Sequence, residues 1–395
     1  MRKISAHYVF DGKGNFLKQG IIIVNNDNSI AEIIDTGGQL KESENVEFYN
    51  GILTPGFVNA HCHLELSHLK GIIPQHEGLT SFVRNIVTHR HASDDMVINS
   101  MKNALSEMQK NGIVAVGDIA NKEISLPIKE NSNILCYTFL ECFGFEDPAD
   151  NLMYETATGL YEKWKNRLPI AVTPHASYSC SPLLLGKMQV FQERHPMVFS
   201  IHNQETESEN ELFLKKSGVL FDNLLKWGMN PELLEYSGLN SLQTISKYFP
   251  TENNKLLIHN TFTKNRDITF LHEGFNSDSI FWCFCPNSNL YIENQIPDVE
   301  MFTKMDLQCI IGTDSLASND KLSMIDELIT IQNKFPNITL EKLLTWVCIN
   351  GARALKFDSI IGSFEKGKKP GINLISNIDL VNMKLLDDSN VKVIL

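Results

Sequence analysis

Between Leu53 and Ile311 the chain alternates short apolar runs with longer amphipathic stretches, and it does so eight times. The runs are Leu53–Val58, Ile113–Gly117, Ile134–Leu140, Ile170–Thr173, Val198–Ile201, Leu256–Ile258, Ile280–Phe284 and Cys309–Ile311. Stretches between them, such as Asp94–Lys110 and Pro182–Arg194, carry their apolar residues at helical spacing. A strand followed by a helix, repeated, requires a crossover at each step, so the strands run parallel and the helices cover them. Eight such units predict an α/β fold of the (β/α)8 TIM-barrel kind. The 395 residues are enough for a barrel and a small added unit.

The ends of the chain read differently. Turn signals at Asp11–Gly14 and Asn25–Asn28 flank the apolar run Gly20–Val24. After Gly362 the chain returns to turns and short strands, with Ile372–Ile375 and Val391–Leu395 as candidates. Pairing of the two ends predicts a small β-sandwich domain from residues 1–54 plus 357–395, beside a catalytic barrel over 55–356. Residues 206–250 are too long for a plain loop and carry helical patterns, which suits a lid or pocket wall after the fifth strand.

Composition excludes several classes. The net charge of −12, without a Lys/Arg block, argues against nucleic acid and anionic membranes as partners. The N-terminal segment lacks the apolar run of a signal peptide, and no stretch is long and apolar enough to span a bilayer. The eight cysteines have scattered spacing, which reads as reduced thiols in a cytoplasmic protein.

The chemistry collects at strand ends. In Asn59-Ala60-His61-Cys62-His63 the two imidazoles stand at i and i+2, on one face of a strand. Alone, such a pair more often lacks a ligand role than has one. His202-Asn203-Gln204-Glu205 ends the fifth candidate strand, His259 the sixth and Gly312-Thr313-Asp314 the eighth. In a barrel all of these meet at the C-terminal rim, where the active site lies. His61, His63, His202 and Asp314 would offer a divalent ion three nitrogens and one oxygen, with room for water. Glu205 would accept a proton from that water.

At this point the chain resembles the amidohydrolase superfamily, in its branch of metal-dependent deaminases and chlorohydrolases. Pro55-Gly56-Phe57-Val58-Asn59-Ala60-His61-Cys62-His63, His202-Asn203-Gln204-Glu205, Cys285-Pro286-Asn287-Ser288-Asn289, Gly312-Thr313-Asp314-Ser315 and Asn350-Gly351-Ala352-Arg353-Ala354-Leu355 carry the likeness in the expected order. Near the tail, Gly367-Lys368-Lys369-Pro370-Gly371 departs from the family's usual wording. The resemblance implies metal ligands at His61, His63, His202 and Asp314, with catalytic Glu205, His259 and Asp314. Of these, Glu205 is the proton shuttle and His259 stands beside the water. It also implies a substrate-facing His175. The fourth candidate strand has no Lys to bridge two ions, so one divalent metal is implied, Zn2+ or Fe2+.

The expected reaction is hydrolytic deamination of an amino-substituted N-heterocycle, with release of ammonia. His63-Leu64-Glu65-Leu66-Ser67 resembles deaminases of aminofutalosine, an adenine-bearing compound. Arg84 and Glu141 are further substrate-binding candidates, and Phe82, Phe143 and Tyr178 could wall a flat ring. A chlorohydrolase or another C–N hydrolase would use the same metal site. A non-catalytic scaffold of the same fold is the reading from another class, and it predicts broken ligand positions. Homodimerisation is compatible with such a barrel.

Overall fold

Apolar runs buried on both faces become the strands of two parallel sheets, as the uninterrupted hydrophobic patterning requires. The computed structural model describes residues 1–40, 45–145 and 149–395. In chain order its strands are β1 (Arg2–Phe10), β2 (Phe16–Lys18), β3 (Ile21–Val24), β4 (Ile30–Ile34), β5 (Val46–Thr54), β6 (Phe57–Cys62), β7 (Ile113–Ala120), β8 (Leu135–Cys142), β9 (Ile170–Pro174), β10 (Phe199–Asn203), β11 (Lys255–His259), β12 (Ile280–Phe284), β13 (Cys309–Ile311), β14 (Asn373–Asp379) and β15 (Lys384–Val393). Strands β6 to β9 form one four-stranded parallel sheet and β10 to β13 another, each in sequence order. Every residue of β6, β10, β11 and β12 is buried.

The two sheets touch at both edges. His202 N donates to His175 O at 2.9 Å, and Ala176 bridges His202 in parallel. At the other edge Thr313 N and Asp314 N both donate to His61 O at 3.1 Å. Gly312 permits that approach, because a Cβ there would stand 2.8 Å from the His61 Cβ and 2.9 Å from its carbonyl oxygen.

The single strand expected over Leu53–Val58 is two. Leu53 and Thr54 end β5, and Phe57 begins β6. Pro55 lacks the N–H that a continuous ladder would use, and Gly56 N turns instead to Pro370 O at 2.9 Å. The break separates a seven-stranded sheet, ordered β15-β14-β5-β1-β3-β4 with β2 on β1, from the parallel sheets. Both chain ends contribute to it, with Leu374 of β14 opposite Leu53 of β5. Ile4, Ile22, Leu53, Phe364 and Leu374 belong to a separate small core beneath it.

Residues 206–250 are mostly short helices, Glu207–Lys215, Val219–Lys226 and Ser241–Ile245. Among the described residues no helix is long and apolar enough to cross a membrane.

A lysine–aspartate ion pair lies wholly inside the fold. Lys129, on the short helix Leu126–Glu130, meets Asp118 of β7, and both side chains are completely buried. Asp118 Oδ1 also accepts from Leu64 N at 2.7 Å, directly after His63. Burial pushes the Asp118 carboxyl up to about 6 despite the lysine. Removing one member of such a pair leaves an uncompensated buried charge. Lys129→Met is therefore expected to cost about 3–5 kcal/mol, seen as a lower urea midpoint. A midpoint equal to wild type would mean that the pair contributes nothing to the fold.

Candidate metal centre and active site

Strand β6 delivers His61 inside its last turn of pleat and His63 just beyond its end. Both imidazoles point to one side, as i and i+2 must. His202 arrives from β10, and His63 Nε2 lies 3.2 Å from both His61 Nε2 and His202 Nε2. Asp314, after β13, brings its Oδ1 to 3.6 Å from His63 Nε2 and 3.8 Å from His61 Nε2. Ligand atoms around a tetrahedral zinc ion stand about 3.3 Å apart when the metal–nitrogen distance is about 2.0–2.1 Å. His63 Nε2 stands at about that spacing from the other two imidazoles, and Asp314 Oδ1 lies slightly further out.

Their protonation suits the same purpose. Burial, then neighbouring histidines, holds His61 well below the ordinary imidazole range. Burial also brings His63 down to about 4, against the pull of Asp314, and lowers His202. These rings are neutral near pH 7. His202 Nδ1 lies 2.9 Å from His175 O, which can only accept, so the proton sits on Nδ1 and the Nε2 lone pair faces the cluster. The Asp314 carboxyl, which burial would push upward, is held below its usual range by His63, His259 and two serine hydroxyls. The donor set of three neutral imidazoles and one carboxylate therefore fits a divalent ion. His202 also belongs to a group with Glu141 and His175, whose possible ligand atoms lie within 4.8 Å of one another. Its Nδ1 carries the proton there, so that side of His202 offers no lone pair.

His259 and Glu205 stand next to this cluster. His259 ends β11 at φ 74°, and Asp314 sits at φ 56°, both in the left-handed region that non-glycine residues enter at a cost of about 1–3 kcal/mol. Asn289 Nδ2 donates to His259 Nδ1 at 3.1 Å, which leaves the proton on Nε2, 3.6 Å from Glu205 Oε1. Burial pushes the Glu205 carboxyl well above the carboxylate range, and the charges of Asp314, Glu293 and Glu209 add to that.

The substrate candidates divide. His175 Nδ1 lies 2.7 Å from Ser179 Oγ, and its ring meets Phe143 and Tyr178 edge-on at centroid distances of 6.2 and 5.8 Å. Glu141 lies 3.6 Å from His202 Nδ1, and burial raises its carboxyl to about 8. Arg84 is exposed and donates to Ser81 Oγ at 3.1 Å, outside this cluster. Arg90, at the end of the helix Leu79–His89, is the arginine whose charge is felt at Glu141, His63 and His175. Sequence reasoning passed over it, because Arg84 and Arg90 look alike on a helix of unknown orientation. Its signal was position, as the last cation before the turn.

The chain matches the model of the Amidohydrolase family over residues 52–393. It is 28% identical over 391 residues to a 5'-deoxyadenosine deaminase of Methanosphaera stadtmanae, covering 93% of this chain and 82% of that protein. Among solved structures, the aminofutalosine deaminase of Helicobacter pylori in complex with methylthio-coformycin superposes with a TM-score of 0.78 at 22% identity, over 96% of this chain and 93% of the other. A variant of an atrazine chlorohydrolase from Arthrobacter aurescens, complexed with zinc and atraton, gives a TM-score of 0.75 at 16% identity, over 100% and 94% of the two chains.

Proposed function

The chain belongs to the amidohydrolase family, and from that premise we propose that it is a hydrolytic deaminase of an adenine-bearing nucleoside, dependent on one divalent ion. The observation that carries the reading is the convergence of three imidazole Nε2 atoms and Asp314 Oδ1, with Glu205 buried alongside. His61, His63, His202 and Asp314 hold the ion, zinc or iron(II). When bound there, it lowers the pKa of a coordinated water toward neutrality. The remaining work belongs to the protein. Glu205 takes a proton from the attacking water and delivers it to the ring nitrogen, where charge would otherwise build; the water oxygen bonds to the ring carbon, and the amino group takes a second proton and leaves as ammonia as its C–N bond breaks. The His259 Nε2–H and the Asp314 carboxylate orient that water. We assign His175, with Phe143 and Tyr178 around it, to the heterocycle, and Glu141, beside His202, together with Arg90 to the rest of the substrate. Arg84 remains a candidate only for a substrate long enough to reach it.

The edge hydrogen bonds between the two parallel sheets support closure into one (β/α)8 barrel over residues 55–356. Residues 1–54 and 357–395 then form a β domain beside it, in which the one seven-stranded sheet would make the expected sandwich by folding over its own small core. A cytoplasmic location agrees with eight free, buried cysteines.

The first test is ammonia release from a panel of aminated purines, pterins, pyrimidines and adenosine-type nucleosides, aminofutalosine included, using zinc-loaded protein. Turnover is expected with an adenine-bearing nucleoside. Chloride from a chlorinated triazine, without ammonia from the panel, would replace the deaminase reading with a dehalogenating one.

A further inference from the structure

Asp314 has two carboxylate oxygens, and only one faces the histidines. The other, Oδ2, accepts from Ser288 Oγ and from Ser318 Oγ, each at 2.7 Å. These hydroxyls come from separate segments, the helix Pro286–Glu293 after β12 and the loop after β13. Both segments are tied to a third. Glu327, on the helix Met324–Lys334, is completely buried and touches none of the histidines. Its Oε2 accepts from Asn287 N at 2.9 Å, and its Oε1 accepts from Asn319 Nδ2 at 2.7 Å. Asn287 and Asn319 are the immediate neighbours of Ser288 and Ser318. Asn319 Nδ2 also reaches Thr313 O at 2.9 Å, beside Asp314 itself.

We infer that Glu327 is a positioning residue, which clamps the segments of Ser288 and Ser318 so that both hydroxyls occupy Asp314 Oδ2 and Oδ1 is left to the ion. The inference rests on the reading of Asp314 as a ligand. Burial pushes the Glu327 carboxyl up to about 8, but both of its oxygens accept from N–H groups, and that double acceptance is what a carboxylate supplies. An amide would present N–H groups to one of the two N–H donors and release that segment. Asp314 would then be free to rotate, and its left-handed backbone would lose a restraint. Groups that orient metal ligands from outside typically affect affinity by about 10–100-fold.

The experiment is chelator competition for zinc on the full-length protein, with the rate of zinc loss followed alongside thermal unfolding in excess zinc. Glu327→Gln is expected to weaken zinc retention by about 10–100-fold. Ser288→Ala/Ser318→Ala is expected to do the same, and the three changes together should cost little more than either alone, because they cut one chain of contacts. Wild-type retention in Glu327→Gln, or penalties that multiply in the combined variant, would overturn the inference. Should Glu327→Gln fail to fold, Asn319→Ala cuts one of the two ties, and unchanged zinc retention there would overturn it equally. His63→Ala separates the two levels of the argument. If it releases zinc while the Glu327 and serine variants do not, the clamp alone is wrong. If His63→Ala also keeps its zinc, the reading of the metal centre fails as well.

Discussion

Glu205→Gln is expected to lower kcat by about 10²–10⁴-fold while zinc content stays at the wild-type level. The amide has the shape of the carboxyl but cannot carry a proton from water to the substrate ring. Zinc is expected to remain because the cluster of His61, His63, His202 and Asp314 does not include residue 205. The fold should tolerate the change. Burial, Asp314, Glu293 and Glu209 already disfavour the charged form of Glu205, so a neutral side chain relieves repulsion. Steady-state kinetics on the substrate identified by the panel, with metal analysis of the same samples, checks both halves. Near-wild-type turnover would remove Glu205 from the proton path. Zinc loss would move it into the ligand set.

His63→Ala is expected to abolish zinc binding, and activity with it. His63 Nε2 is the atom shared by the closest pairs in the cluster, at 3.2 Å from two imidazoles and 3.6 Å from Asp314. Two imidazoles and a carboxylate can hold zinc only when all three face one point, and removing His63 Nε2 takes away the atom through which the others make their closest contacts. Metal content should fall from about one equivalent per chain to less than about a tenth. A chelator should inactivate the wild type, and added zinc should restore it. The variant should not respond to added zinc. Full activity after chelation, or a variant that zinc restores, would contradict the assigned ligand role.

The order of chemical groups along the chain was legible because each stands at the end of an apolar run. A run of buried residues marks a strand, and the polar side chains that soon follow it mark a strand end. That argument located His61, His202, His259 and Asp314 before any distance was known. It was weaker at Leu53–Val58, where one apolar run hides two strands, and the break at Pro55-Gly56 shows only in the hydrogen bonds. It was weakest for helix-borne groups. Arg84 and Arg90 lie on or beside one helix, and their periodicity does not say which faces the cluster. Glu327 had no visible signal, since a single Glu in an amphipathic stretch reads as solvated until its burial is known.

Patterning by itself determined the alternation of strands and helices, the polar residues at strand ends, and thereby a metal-ligating composition in one region. These depend on periods of two and 3.6 residues, which local sequence carries. Tertiary structure decided the rest. It set the 3.2 Å meeting of imidazoles from strands 139 residues apart in sequence. It put the His202 proton on Nδ1 and turned one oxygen of Asp314 toward the histidines while serines occupy the other. Those features arise from contacts between distant segments and from burial, which shifts proton equilibria only once water has been excluded.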